Sequence, residues 1–158
     1  MVNTNKSLAW SENQNKLFVE DRIKDASNQV RGIYGIFVKD KDKEEECVYV
    51  GRSVSIYGRI FSQGHMPNSR DEITKKRTSQ RLLNAIDDEN VEKIEIRILE
   101  EVEFKFDNYY KDMQRLASAE NYYIDLYQNK SQCLEQVPDG KNTSEKDWES
   151  MKNQESIR

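Results

Sequence analysis

Cysteine is scarce in this chain of 158 residues: only Cys47 and Cys133 occur. They lie far apart, show no metal-ligand spacing and sit in no redox motif. Cys47 falls inside an apolar run, where a reduced, buried thiol is expected. No apolar run is long enough to span a membrane, and no signal-peptide pattern is present. A protein of the reducing cytoplasm, with no membrane partner, is the expectation. An excess of positive charge is lacking too. Lys and Arg number 25 against 29 Asp and Glu, for a net charge of −4. The whole molecule is therefore no polycation, and any nucleic-acid binding must work through a local basic patch. Histidine occurs once, at His65, in a loop flanked by glycine and proline.

What is present organises into one domain with extensions, and the length suffices for a hydrophobic core without metal or disulfide support. Residues 1–30 read as an N-terminal extension. Within it, "NQNKLFVEDRIKDASNQV" carries Leu17, Phe18 and Ile23 between charges and reads as a short amphipathic helix. "GIYGIFV" is an apolar, β-rich run. "KDKDKEEE" is a solvated loop and "CVYVG" the return strand, so residues 33–51 make an antiparallel hairpin. "SVSIYGRIFSQ" sets Ile56 and Ile60 at helical spacing, with Ser53 or Ser55 as N-cap. A polar loop and a second helix ending near "QRLLNAIDDEN" follow. "VEKIEIRILEE" alternates as a half-buried strand. "DNYYKDMQRLASAENYYIDLYQ" is the clearest helix, with Asp107 as its candidate N-cap. Residues 135–158 form a polar, acidic tail with one helical turn expected around Trp148. The predicted class is α+β: a three-stranded antiparallel sheet flanked by helices.

Several residues break local rules. Met113, Leu116, Tyr123, Ile124 and Tyr127 recur on one helical face, and Glu120 lies on that same stripe. Burying a polar group without a partner costs roughly 2–7 kcal/mol, and a charge more. An arginine, hydrogen bonds or a metal ion must offset that; a buried structural ion pair would serve as well as a functional site. Arg59 stands between Ile56 and Ile60, where an arginine usually snorkels along the helix flank. Tyr34 and Tyr49 each sit near strand glycines, Gly35 and Gly51, which permit a bulge or a close approach.

Together these residues resemble a known pattern. "GIY" at 32–34 and "YVG" at 49–51 resemble the paired signature of the GIY-YIG nuclease superfamily. "SIYGRIF" matches the family's helix arginine at Arg59, and "LASAENYYIDLY" its later glutamate at Glu120. The resemblance covers residues 31–134. The family often has a lysine where this chain has Arg52, and a tyrosine or histidine at the position of Gln63. Its later asparagine aligns best with Gln132, with Asn129 close by.

The resemblance implies divalent-metal-dependent hydrolysis of DNA phosphodiester bonds by a small endonuclease, in a restriction, phage or repair-like role. Glu120 would hold Mg2+ or Mn2+. Tyr34 would act as general base, with Arg52 lowering its pKa. Arg59 would hold a phosphate oxygen, and Tyr49 would bind the phosphate or order the water. His65 would stand in for the missing turn-later residue. Arg70, Lys75, Lys76, Arg77 and Arg81 form the best candidate DNA-binding patch. A single site that cuts both strands would call for a homodimer. The competing expectations are a catalytically degenerate module of the same fold that binds nucleic acid or protein, and a small α+β protein with a buried Arg59–Glu120 pair and no site.

Overall fold

The computed structural model describes residues 16–62, 84, 85, 87–133, 136, 137 and 142–157. His65, Gln63 and the basic residues Arg70, Lys75, Lys76, Arg77 and Arg81 lie outside them. The described residues form four strands: β1 (Leu17–Val19), β2 (Gly32–Asp40), β3 (Glu46–Ser53) and β4 (Val91–Glu101). They form one mixed sheet in the order β1-β4-β2-β3. The antiparallel hairpin of β2 and β3 and its partner β4 match the sequence pattern. The expected three-stranded antiparallel sheet is corrected by β1, which pairs with β4 in parallel, Leu17 opposite Ile94 and Val19 opposite Ile96.

The segment read as an amphipathic helix thus supplies a strand, and only Asp21–Lys24 turns, as a short 3-10 helix. A short apolar triplet carries no decisive period. Tertiary need decides it. The 11 residues of β4 would otherwise expose a row of backbone groups on their outer edge. Beyond β1, the backbone N–H of Glu20 donates to the Ile96 carbonyl at 2.9 Å, and its carboxylate accepts from the Ile98 N–H at 2.9 Å. The ladder is prolonged by a side chain.

Both sheet faces are buried, which explains why β2 reads as continuous apolar sequence. On one face Tyr34, Ile36, Val38, Tyr49, Ile94 and Ile96 pack under Ile23, Val30, Ile56, Ile60 and Ala85. On the other, Ile33, Phe37, Cys47 and Val50 pack under two helices, α1 (Tyr109–Gln128) and α2 (Glu145–Ile157). Asn108, rather than Asp107, caps α1, its side chain accepting from the Lys111 N–H at 2.9 Å. Asp107 instead pairs with Lys152 of α2 at 2.7 Å.

The single turn expected around Trp148 is a helix of 13 residues. Trp148 is buried, and its Nε1 donates to Asp112 Oδ2 at 2.7 Å. Asp112 Oδ1 accepts from Arg31 Nη2 at 2.6 Å, while Arg31 Nε donates to the Val102 carbonyl at 2.6 Å. The guanidinium also lies over the Phe104 ring, 4.1 Å from its centroid. One indole and one ion pair thus anchor an otherwise polar helix, which is why no apolar stripe announced it.

Candidate functional site

Alternation along β2 puts Tyr34 on the face opposite Ile33 and Phe37. Its cross-strand partner is Gly51. The phenol lies directly on that glycine: a Cβ there would stand 2.5 Å from Tyr34 Cζ and 2.6 Å from its oxygen. The tyrosine of the first motif and the glycine of the second are therefore one packing unit, the ring filling space that only a glycine leaves. Gly32 answers a different need. Its φ is +152°, and a Cβ would meet the Glu100 carbonyl oxygen at 2.1 Å. Tyr49 shares the face of Gly51, and its ring centroid is 6.1 Å from that of Tyr34.

Arg59 reaches these phenols from a tight turn. Ser55 Oγ accepts from the Gly58 N–H at 3.0 Å and the Ser55 carbonyl from the Arg59 N–H at 3.0 Å. Of the two candidate caps, Ser53 and Ser55, it is Ser55 that caps the turn. Gly58–Ser62 form one π-helical turn, a form frequent at functional positions. Ile56 before the turn and Ile60 within it are buried and fix its orientation. Arg59 donates hydrogen bonds to both Tyr34 and Tyr49. Burial works against its charge, but the two phenols outweigh that and hold its pKa above the usual arginine range.

Tyr34 is fully buried, and its pKa lies well above 10.0. Burial is the largest cause, Tyr49 adds to it, and Arg59 opposes it; the Glu120 charge raises it further. The cation that favours the Tyr34 phenolate is thus Arg59. The Arg52 guanidinium, expected in that role, is engaged elsewhere.

Arg52 follows Gly51 directly, so its side chain leaves β3 on the opposite face, toward α1. There it forms an ion pair through Nη1 with Glu120 Oε1, and its Nη2 donates to Asn142 Oδ1 at 3.0 Å. Glu120 is 1% exposed. The partner that offsets burial of this carboxylate is Arg52, not the Arg59 of the Arg59–Glu120 pair considered from sequence. The constellation therefore straddles the outer strand of the sheet. Two phenols and Arg59 stand on one face, and Arg52, Glu120 and Asn142 on the other. Its halves feel each other, since the Glu120 charge acts on Tyr34.

Asn142 had no signal in the sequence, lying in a polar stretch without period. Gln132, the match for the family asparagine, accepts from the Cys47 N–H at 2.7 Å through Oε1. Gln136 accepts from the Val50 N–H at 3.0 Å and donates back to the Val50 carbonyl. Two glutamines thus cover the free edge of β3, as an exposed edge strand requires. Asn129 ends α1 as its C-cap.

A divalent cation would find one carboxylate here. Among the described residues, no three His, Cys, Asp or Glu side chains cluster as a metal cage. One hard oxygen donor suits Mg2+ or Mn2+, which keep several waters, and does not suit a protein-caged zinc or calcium.

No family model, no curated protein and no solved structure matches the chain.

Proposed function

We propose that the chain is a small divalent-metal-dependent DNA endonuclease that hydrolyses phosphodiester bonds at the β3 edge. The observation that carries this reading is the pair of buried phenols held by one guanidinium, with the buried Glu120 carboxylate in electrostatic reach. The resemblance of residues 31–134 to the GIY-YIG nucleases, in four separated elements, supports it. A forked guanidinium suits a phosphate oxygen, and Arg59 already donates to two oxygens. A phosphodiester would take over donors that the phenols now accept. Tyr49 would then orient the phosphate or the attacking water.

Tyr34 would accept the water's proton. Its raised pKa makes it a neutral phenol at pH 7, so only a small phenolate fraction is competent. The Arg59 charge is the lever that increases that fraction. Mg2+ or Mn2+ at Glu120 would supply neutralisation of charge on the phosphoryl oxygens. Arg52 holds that carboxylate in place, and Asn142 in turn accepts from Arg52.

A second reading is favoured by one observation. Glu120 is already neutralised by Arg52, as in a site that has lost its reaction and kept its fold. In that case the chain would be a nucleic-acid- or protein-binding module.

Plasmid nicking with Mg2+ or Mn2+ separates the two. The wild-type chain should nick. Arg59→Ala and Glu120→Gln should each lose roughly 10²–10³ in rate with circular dichroism unchanged. A folded wild-type chain that nicks neither plain nor modified DNA would leave the binding module.

A further inference from the structure

The sequence places Cys47 and Cys133 in no motif, and the fold brings them together. Their Sγ atoms are 3.6 Å apart across 86 residues of chain. Both thiols are free; Cys47 is 0% and Cys133 7% exposed. Cys133 Sγ also donates to the Cys47 carbonyl at 3.2 Å. Its backbone has φ 54°, an uncommon left-handed conformation outside glycine, which places it in the tight turn after α1. That turn is stitched to the β3 edge on both sides of the pair. Gln132 accepts from the Cys47 N–H, and Gln136 bonds both backbone groups of Val50. Gln128 closes the turn, donating to the Cys133 carbonyl at 3.0 Å and the Gln136 carbonyl at 2.7 Å. The two sulfurs are therefore held face to face by five hydrogen bonds that do not involve them.

We propose that Cys47 and Cys133 form an oxidisable dithiol, a site at which a peroxide converts two thiols into one disulfide joining β3 to the exit of α1. A disulfide needs the sulfurs at about 2.05 Å, so the pair must close by roughly 1.5 Å. Cys133, the more exposed, reacts first. Its thiolate attacks hydrogen peroxide, the O–O bond breaks, and the sulfur takes one oxygen as a sulfenic acid while the other leaves as water, carrying the proton that the Cys133 thiol released. The Cys47 sulfur then displaces that oxygen, which departs with the Cys47 proton as a second water. Two thiols and one peroxide give one disulfide and two waters; sulfur is oxidised and peroxide oxygen reduced. The hydrogen bond to Cys133 and burial push the Cys47 thiol up, so Cys47 is not the first to react and gives up its proton only as its sulfur attacks.

The disulfide would close a long loop and tie the strand bearing Tyr49 and Arg52 to the helix bearing Glu120. The test treats the intact chain with hydrogen peroxide, with dithiothreitol as the control, and reads mass, free thiols and Tm. The expected result is a monomer lighter by two hydrogen atoms, with no free thiols and a peptide linking positions 47 and 133. Its Tm should rise by about 5 °C or more and return on reduction. Cys133→Ala and Cys47→Val should each abolish the mass loss and the Tm shift, and two variants guard against one misfolding. Retention of both thiols under peroxide, over-oxidation of Cys133 without a cross-link, or only an inter-chain disulfide would overturn the proposal.

Discussion

Tyr34 shows what a single side chain does to the site. Its ring occupies the space above Gly51, so the smallest possible insertion there is a direct probe. Gly51→Ala would drive a methyl group into the ring at 2.5–2.8 Å. We expect a stability loss of about 1–3 kcal/mol by urea unfolding, with displacement of the Tyr34 ring seen in aromatic NMR shifts. The phenol's pKa gives a second handle, and its sign is fixed. The folded state holds the proton more tightly than the unfolded chain, whose tyrosines titrate near 10.0. The stability this contributes is full below that pH and is lost as pH rises through the folded pKa, because the unfolded chain sheds its proton first. Tyr123 and Tyr127 shift in the same direction, burial leading in both. Tyr34→Phe should therefore make the fall of Tm above pH 10 shallower without removing it. If Tyr34 is the base, the cleavage rate of the wild type should also climb about tenfold per pH unit from pH 7 to 9, without a plateau.

At the level of elements, the hairpin, β4 and α1 were legible because their periods are long or their runs continuous. "IEIRI" alternates cleanly, and the α1 stripe recurs from Met113 to Tyr127 within a helix of 20 residues. Glu120 was legible as an anomaly on that stripe, although the identity of its partner was not. Arg52 and Arg59 differ by seven positions, and only the alternation of β3 decides which one faces α1. β1 was misread because three apolar residues fit either period, and the deciding fact was the open edge of β4. α2 was foreseen only as a single turn around Trp148, for a different reason. Its anchor is one tryptophan and a pair of polar residues, Arg31 and Asp112, more than 80 positions apart. That arrangement predicts a large local effect. Trp148→Ala should cost about 3–5 kcal/mol in urea unfolding and strip helical signal from the C-terminal segment, with the α1 cap at Asn108 intact. An unaltered hydrogen-exchange pattern in residues 145–157 would contradict the docking of α2.

For the molecule as a whole, charge and topology set the terms of function. Among the described residues no helix is long and apolar enough to cross a membrane. If the chain cuts DNA as proposed, a net charge of −4 leaves its affinity to local phosphate contacts, and binding should weaken with salt. The site straddles the outer strand, and its carboxylate is balanced by Arg52 rather than by an empty shell of ligands. Arg52→Gln would strand that buried charge. The variant should lose about 3–5 kcal/mol, and Mg2+ should restore its Tm more than it raises that of the wild type. Equal Mg2+ responses in the two would argue against Glu120 as the cation's ligand.

The central claim is that side chains on the two faces of β3 act on one phosphodiester. A double-mutant cycle of nicking rates with Arg59→Ala, Glu120→Gln and the pair together tests it most directly. Groups that work as a unit are grossly non-additive. The double variant should be no slower than the slower single variant. Losses that multiply, or a Glu120→Gln variant as active as the wild type, would contradict a shared site.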